Sequence, residues 1–275
     1  MKDNIRIEPK WDKSKEEIWS DHFEKMTSTA PVNREALHKG MFSGRAIYYT
    51  AAAAIIVLML VPMVYTRNIS AQRGEHVTIE LPDGSTACLN AQSEISYKPL
   101  LWYLKRNVKL EGEAYFSVEK GSRFSVKSEN GSVTVLGTKF NVKSRYDIFE
   151  VSCITGKVAV KSELDKDLKE GVLIEGGEGV SFSENAAMKR VSGETNENRT
   201  SWMDYNFVFT GAPLNQVLGE ISRQYNIDIV YDEAEEYLYT GKFSRDVPVE
   251  QVLEIVTMPF SLKIVKDESG YKIIK

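Results

Sequence analysis

Residue types that do chemistry are sparse and scattered in this chain. Between residues 67 and 185 His76 stands alone, without a second metal ligand at a fitting spacing or a cysteine placed to form a Cys-His pair. The stretch "GGEG" at 176–179 lacks the lysine and the following helix that a phosphate-binding loop needs. The many carboxylates mostly alternate along strand-like runs, although acids on distant strands can still meet in a fold. We therefore predict no enzyme activity, no cofactor and no metal site.

The clearest local pattern lies near the N-terminus, in "SKEEIWSDHFEKM". Ser14 and Glu17 match a capping box, in which each side chain accepts a hydrogen bond from the other residue's backbone N–H. Apolar residues, with His22 or Phe23 at the middle position, then recur at helical spacing and predict an amphipathic helix. The predicted binding face of this helix consists of Ile18, Trp19, Phe23 and Met26, with Trp11 as a further anchor.

A helix of three or four turns is marginal alone, and residues 1–45 are too few to bury its apolar face internally. The helix therefore either lies on a membrane surface or docks in the groove of a protein partner. Helices that lie on membranes usually carry a basic polar face. The mixture of lysines and acidic residues on this helix favours a protein partner. The acidic residues are Glu16, Glu17, Asp21 and Glu24.

An uncharged run, "AIYYTAAAAIIVLMLVPMVY", extends from residue 46 to 65. It has the length of a transmembrane helix, and it starts too late and runs too long for a secretory signal. Tyrosines near both ends fit an aromatic belt, and the segment before the run is rich in lysine and arginine. We therefore expect a single transmembrane helix over 46–66, with residues 1–45 in the cytoplasm and residues 67–275 on the other side of the membrane.

Residues 67–185 alternate apolar and polar side chains, which predicts an all-β domain of short antiparallel strands. Asn130-Gly131 predicts one hairpin, and "FEVSCITGKVAV" predicts another with its turn at residues 155–157. Cys88 and Cys153 could form a disulfide outside the cytoplasm, but their apolar strand-like surroundings favour buried thiols. The net charge of −4 argues against direct binding of nucleic acid.

Two passages near the C-terminus match without gaps. "PLNQVLGEISRQYNIDIV" starts at Pro213 and "PVEQVLEIVTMPFSLKIV" starts at Pro248. Each combines a helical stripe after its proline with an alternating strand, and a strand-like run precedes each one. We expect a small α/β domain over 205–275, built from a duplicated strand–helix–strand unit and joined to the β domain by a linker over 186–204.

Several stretches in this order resemble the FecR family of transmembrane anti-sigma regulators. They are "ELPDGSTACLNAQSEISY", "VKLEGEAYFSV", "VTVLGTKFNV", "VSCITGKVAV", "FVFTGAPLNQVLGEISRQYNIDIVYD" and "YTGKFSRDVPVEQVLEIV". The last two resemble the C-terminal domain of many members, which is similar to the short N-terminal domain of secretins and TonB-dependent transducers. The resemblance covers nearly the whole chain.

The resemblance implies that the cytoplasmic tail binds an extracytoplasmic-function sigma factor. It also implies that the periplasmic part senses an occupied TonB-dependent outer-membrane transporter through that transporter's periplasmic signalling domain. Release, or proteolysis near the span, would then free the sigma factor to transcribe uptake genes. Two other classes stay open from the residues alone: a membrane-anchored enzyme or glycan-binding module, and a structural component of a secretion system.

Overall fold

The computed structural model describes residues 13–27, 44–165, 171–183, 186–193, 198–231, 236–266, 268 and 270–275. The chain forms two compact units, Met1–Val57 and Leu58–Lys275. Two helices come first, α1 over Lys15–Thr27 and α2 over Gly44–Val64. Within the described ranges, no helix reaches the combination of length and apolarity that a membrane crossing demands. The transmembrane helix over 46–66 therefore stays a prediction.

The region after α2 is a large β structure whose strands pair antiparallel, as its alternating sequence predicts, except for the fifth and sixth strands, which pair parallel. Its strands are β1 Arg67–Ala71, β2 Val77–Glu80, β3 Thr86–Leu89, β4 Ser93–Tyr97, β5 Arg106–Ser117, β6 Phe124–Lys127, β7 Gly131–Val135, β8 Lys139–Arg145, β9 Ile148–Thr155, β10 Lys157–Ser162, β11 Val172–Glu175, β12 Glu178–Ser183 and β13 Ala186–Ser192. Alternate side chains of these strands form one apolar core. We call residues 67–192 the β region.

The long strand β5 connects the two halves of the β region. Its first half pairs with β4 and β6, and its second half pairs with β3 and β8. The change of partners occurs at Gly112, whose φ is +98°. A Cβ at Gly112 would lie 2.5 Å from the Ser93 Oγ atom, so only glycine fits this position without a shift of its neighbour.

Of the two predicted hairpins, the one at Asn130-Gly131 is present, and the prediction of the other, at residues 155–157, is wrong. Strands β6 and β7 pair across Asn130-Gly131, as expected. Strands β9 and β10 follow each other in the chain but do not pair, because β9 lies between β8 and β12 while β10 lies between β7 and β11. Gly156, with φ of +93°, turns the chain between these two strands. The turn therefore carries the chain from one half of the β region to the other.

Cys88 and Cys153 form no disulfide. The physical reason is their placement on different cores: Cys153 is buried among the apolar side chains of the β region, whereas Cys88 packs against the C-terminal core. Burial, together with the negative charges of Glu178 and Glu175, raises the pKa of the Cys153 thiol to about 11.

The C-terminal α/β unit contains the predicted repeat. Its elements are β14 Asn206–Pro213, α3 Leu214–Tyr225, β15 Ile229–Tyr231, β16 Leu238–Ser244, α4 Val249–Thr257, β17 Lys263–Lys266 and β18 Tyr271–Ile274. Strands β14 and β16, which correspond in the repeat, pair with each other, and β15 and β17 flank β18. The aligned apolar residues of α3 and α4 are buried together: Val217, Leu218, Val252 and Leu253.

The segment 186–204, expected as a linker, is largely structured. Its first part forms β13, which pairs antiparallel with β12, and the apolar side chain of Met188 packs against the β core. Its last part is a 3-10 helix, Asn198–Asp204, that buries Trp202 in the C-terminal core. The polar composition of this segment is that of an edge strand with one solvent-facing side, which sequence alone does not separate from a linker.

Candidate functional site

Helix α1 begins with the predicted reciprocal cap. The backbone N–H of Glu17 donates to Ser14 Oγ at 3.2 Å, and the backbone N–H of Ser14 donates to Glu17 Oε2 at 3.1 Å. Two N–H groups that the first turn leaves without helical partners are thereby satisfied. The acidic residues Glu16 and Glu17 in that turn also complement the positive end of the helix dipole.

The two aromatic residues that the predicted binding face places on α1 are exposed. Trp19 is 64% exposed and Phe23 is 60% exposed, and their spacing of four residues places them on one face of the helix. Ile18 and Met26 lie on the same helix, whereas Trp11 lies outside the described residues. A capped helix that presents two aromatic side chains to solvent has the character of a helix that docks in a groove.

A second candidate site lies where the α/β unit meets the β region, and we call it the joint. Trp202 enters it from the α/β side, where its indole N–H donates to Asn141 Oδ1 at 3.3 Å. The amides of Asn141 and Asn90 donate to the two oxygens of the Glu113 carboxylate, each at 2.9 Å. Glu113 is buried, so these two hydrogen bonds replace the water that its charge would otherwise need.

Gln224 at the end of α3 extends this network across the joint. Its amide donates to Asn90 Oδ1 at 2.7 Å and to Glu220 Oε1 at 2.8 Å. His76 Nε2 lies 3.2 Å from Gln224 Oε1, and its ring stacks on Tyr205 with centroids 4.7 Å apart. Burial lowers the pKa of His76, and the positive charge of Arg245 lowers it further. The hydrogen bond to Gln224 raises this pKa but does not outweigh burial. The neutral imidazole is therefore the form that fits the joint.

An ion pair is buried next to Gln224. Glu220 and Arg223 lie one turn apart on α3, and Arg223 Nη2 donates to Glu220 Oε2 at 2.7 Å. Burial alone would raise the pKa of Glu220, but the charges of Arg223, Arg145 and Lys143 outweigh burial and hold that pKa well below its usual range. Glu220 is therefore ionised at any physiological pH, and the pair contributes to the joint as a charged unit.

Arg73, in the turn after β1, binds the C-terminal end of α3. Its guanidinium donates to the Ser222 carbonyl at 3.1 Å, to the Ile227 carbonyl, and to the Asp228 carboxylate at 2.7 Å. The next residue, Gly74, donates its N–H to the carbonyl of Arg223 at 2.7 Å. Cations and N–H donors are favourable at a helix C-terminus, where the last carbonyls lack helical partners. One turn of the β region thus holds one helix end of the α/β unit.

A cavity of about 270 Å³ opens beside these contacts. The β region contributes Lys143, Glu150 and Ser181 to its wall, and the α/β unit contributes most of β14. Among the described strands, β14 pairs with β16 only, so its other edge has no strand partner. The unpaired edge of a strand can accept a strand from another protein. The cavity wall therefore includes a strand edge of the kind used for strand addition.

The sequence alone does not reveal the residues of the joint. His76 was singled out as a lone histidine, and its role as a contact between domains depends on a partner 148 residues away. Glu220, Arg223 and Gln224 have the spacing of a solvated polar face of a helix, although all three are buried. Within the described ranges, no group of three or more His, Cys, Asp and Glu side chains could hold a metal ion.

Comparisons with known proteins give a consistent result. The family model described as "FecR protein" matches residues 67–159, and the model described as "FecR, C-terminal" matches residues 206–274, which together cover more than half of the chain. Two crystal structures of a candidate anti-sigma factor from Parabacteroides distasonis ATCC 8503, at 2.50 and 1.65 Å, are similar at 27% identity with TM-scores of 0.68 and 0.69. They cover 77% and 76% of this chain and 99% of the crystallised chain. The curated proteins contain no match.

Proposed function

Since the chain belongs to the FecR family of anti-sigma factors, we propose that it holds an extracytoplasmic-function sigma factor and releases it when a TonB-dependent outer-membrane transporter signals from the periplasm. In this proposal residues 1–45 bind the sigma factor in the cytoplasm and residues 46–66 anchor the chain in the inner membrane. The β region and the α/β unit receive the transporter's periplasmic signalling domain.

The capped helix α1 carries the sigma-binding part of this proposal. Its aromatic side chains at positions 19 and 23 are exposed, and large aromatic anchors supply much of the binding energy in interfaces. Truncation of an anchor typically costs about 2 kcal/mol or more, and about 1.4 kcal/mol corresponds to a tenfold change in affinity. We expect the double substitution Trp19→Ala and Phe23→Ala to weaken binding by roughly 700-fold or more.

Co-purification of the full chain with its cognate sigma factor tests this expectation. A matched control is the pair Ser20→Ala and Glu24→Ala, which has the same spacing on an adjacent face of α1. We expect the control to keep the sigma factor and the aromatic double variant to lose it. If the aromatic double variant retains the sigma factor as well as the control does, α1 is not the contact.

The proposed membrane anchor is supported by the uncharged run from residue 46 to 65 and by the cationic segment before it. No described helix meets the requirements of a membrane crossing, so the proposal depends on these features of the sequence. Alkaline phosphatase fused after Lys275 tests it, because that reporter is active only outside the cytoplasm. We expect an active fusion in the membrane fraction, and an inactive one would refute the topology.

We place the transporter's docking site at the cavity beside β14. Two observations support this placement. Most of β14, whose second edge has no partner among the described strands, lies in the wall of the cavity, and Gln216 and Glu220 of α3 line the same cavity. Deletion of residues 201–275 would be a blunt test, because it would also remove the partners of Asn90 and Asn141 across the joint. A probe that leaves the joint intact is more informative.

Site-specific photo-crosslinking supplies such a probe. A photoreactive amino acid at Val208 on β14 would face the proposed docking site, and the same amino acid at Val230 on β15 is the matched control at another edge strand. We expect a crosslink to the transporter from position 208 that increases when the nutrient is present. A crosslink from position 230 alone would move the docking site to the three-stranded sheet.

A further inference from the structure

The loop between β4 and β5 exposes three large apolar side chains. Leu100 is 55% exposed, Tyr103 is 85% exposed and Leu104 is 81% exposed. Lys98 and Lys105 flank them and are exposed as well. We call residues 98–105 the apolar loop. Large apolar side chains that cluster on a protein surface mark a place where the surface meets another partner.

The apolar loop is held in one conformation. The Trp102 side chain in its middle is fully buried, with its ring 5.3 Å from that of Tyr97 and 5.8 Å from that of Phe124. The backbone N–H groups of Leu104 and Lys105 both donate to the carbonyl of Leu101, at 3.0 and 2.9 Å. The exposed side chains are therefore presented on a rigid turn, and their exposure is a property of the fold.

The apolar loop lies next to the end of α2. Lys98 donates from its ammonium group to the backbone carbonyl of Met63, in the last turn of α2. Strand β1 starts three residues after that helix, and its first residue, Arg67, pairs with Tyr97, the residue just before the loop. The loop therefore lies where the chain would leave a membrane if residues 46–66 cross it.

Other cations lie at the same end of the β region. The ladder between β5 and β6 pairs Arg106 with Phe124, so the segment before Phe124 lies beside the apolar loop. That segment contains Lys120 and Arg123, both exposed, together with one acid, Glu119. Cations at a membrane surface are attracted to anionic lipid headgroups, and the excess of positive charge here fits such a surface.

We propose that the apolar loop lies in the headgroup layer of an anionic lipid bilayer and holds the β region against the membrane. Tyrosine and leucine flanked by lysine suit this layer, because the ring and the aliphatic chains enter it while the ammonium groups stay in water. A second copy of the chain is the competing occupant, but the contact with the end of α2 and the surrounding cations favour lipid. The inference rests on the membrane anchor proposed above.

The test uses the full chain reconstituted in vesicles of equal parts phosphatidylethanolamine and phosphatidylglycerol, with or without bromine on the acyl chains. Tyr103→Trp places a fluorescent probe in the apolar loop. Tyr146→Trp is the matched control, because Tyr146 is also a largely exposed tyrosine, at 76%, but lies beside Asn130 at the other end of these strands. We expect bromine to quench the added emission of Tyr103→Trp several-fold more strongly than that of Tyr146→Trp.

Flotation of the same vesicles distinguishes the proposed lipid contact of the apolar loop from the proposed membrane anchor. If the protein floats with the vesicles and bromine quenches Tyr103→Trp no more than Tyr146→Trp, the loop contact is wrong while the anchor stands. If the protein fails to float, the anchor is wrong and the loop proposal fails with it. Emission from Tyr103→Trp that shifts to shorter wavelength without quenching, in a protein of doubled mass, would assign the loop to a second copy and overturn the lipid contact.

Discussion

The ion pair between Glu220 and Arg223 provides a quantitative test of the joint. Both side chains are almost fully buried, and their charged atoms lie 2.7 Å apart. At this distance and an effective dielectric constant of about 20, their attraction is roughly 6 kcal/mol before desolvation is subtracted. Removal of one charge from such a pair leaves the other buried without compensation, which typically costs about 3–5 kcal/mol.

The substitution Glu220→Gln removes the charge and preserves the shape of the side chain. Because an amide oxygen can still accept a hydrogen bond from Gln224, we expect a loss near the lower bound, about 3 kcal/mol. For a unit of about two hundred residues, this corresponds to a fall in Tm of roughly 6–12 °C. Thermal unfolding of the full chain in detergent, followed by near-ultraviolet circular dichroism, measures it.

Two further variants define the outcome. Glu175→Gln removes one partner of the exposed pair between Lys157 and Glu175 and should leave Tm unchanged. Replacement of the whole buried pair, by Glu220→Leu together with Arg223→Met, should restore much of the stability that Glu220→Gln loses, since neither charge of the pair then remains without the other. An unchanged Tm for Glu220→Gln, or a double variant that is less stable than the single one, would refute the proposed role of the pair.

Three shorter predictions concern residues of the β region. The folded-state pKa of His76 lies below its ordinary value of about 6.5, so the stability that His76 contributes is complete above that pH and falls as the pH drops toward the folded pKa. The decrease in Tm between about pH 7 and pH 5 should therefore be smaller in His76→Gln than in the unmodified chain; equal decreases would contradict the assignment. Gly112→Ala should destabilise the β region by about 2 kcal/mol, because its Cβ would meet Ser93 at a positive φ; urea unfolding measures this, and an unchanged midpoint would disprove the strain. Iodoacetamide should modify Cys88 faster than Cys153, whose thiol is buried with a raised pKa; mass spectrometry of digested protein would reveal the reverse order if the reasoning is wrong.

The parts of the fold that depend on neighbours in sequence are predictable from sequence. Ser14 and Glu17 form a cap because they are three residues apart, and the stripe of Val217 and Leu218 is buried because it repeats at helical spacing. Pairing between distant strands has no such local signal. Alternation identifies β9 and β10 as strands, but it does not show that they belong to different halves of the β region, so the hairpin at residues 155–157 was predicted wrongly.

The sequence pattern did not predict the joint, for a related reason. A glutamate and an arginine three residues apart on a helix usually lie in water. Only the fold shows that Gln224, which donates to Glu220, also donates to Asn90 of the β region and is buried there. Polar residues in segment 186–204 likewise indicated a linker, although part of that segment completes a sheet. Burial of polar side chains depends on which surfaces of the fold meet, and the spacing of residues along the chain does not indicate this.

The most direct test of the central claim is transcription in vitro by RNA polymerase with the cognate sigma factor and its promoter. The full chain in detergent should inhibit this transcription, and the variant with Ser20→Ala and Glu24→Ala should inhibit it equally. The variant with Trp19→Ala and Phe23→Ala should inhibit only at concentrations roughly 700-fold higher or more, given about 2 kcal/mol or more for each lost anchor. Equal inhibition by the aromatic double variant and the control would contradict sigma-factor binding through α1, and no inhibition by the unmodified chain would contradict the proposed function itself.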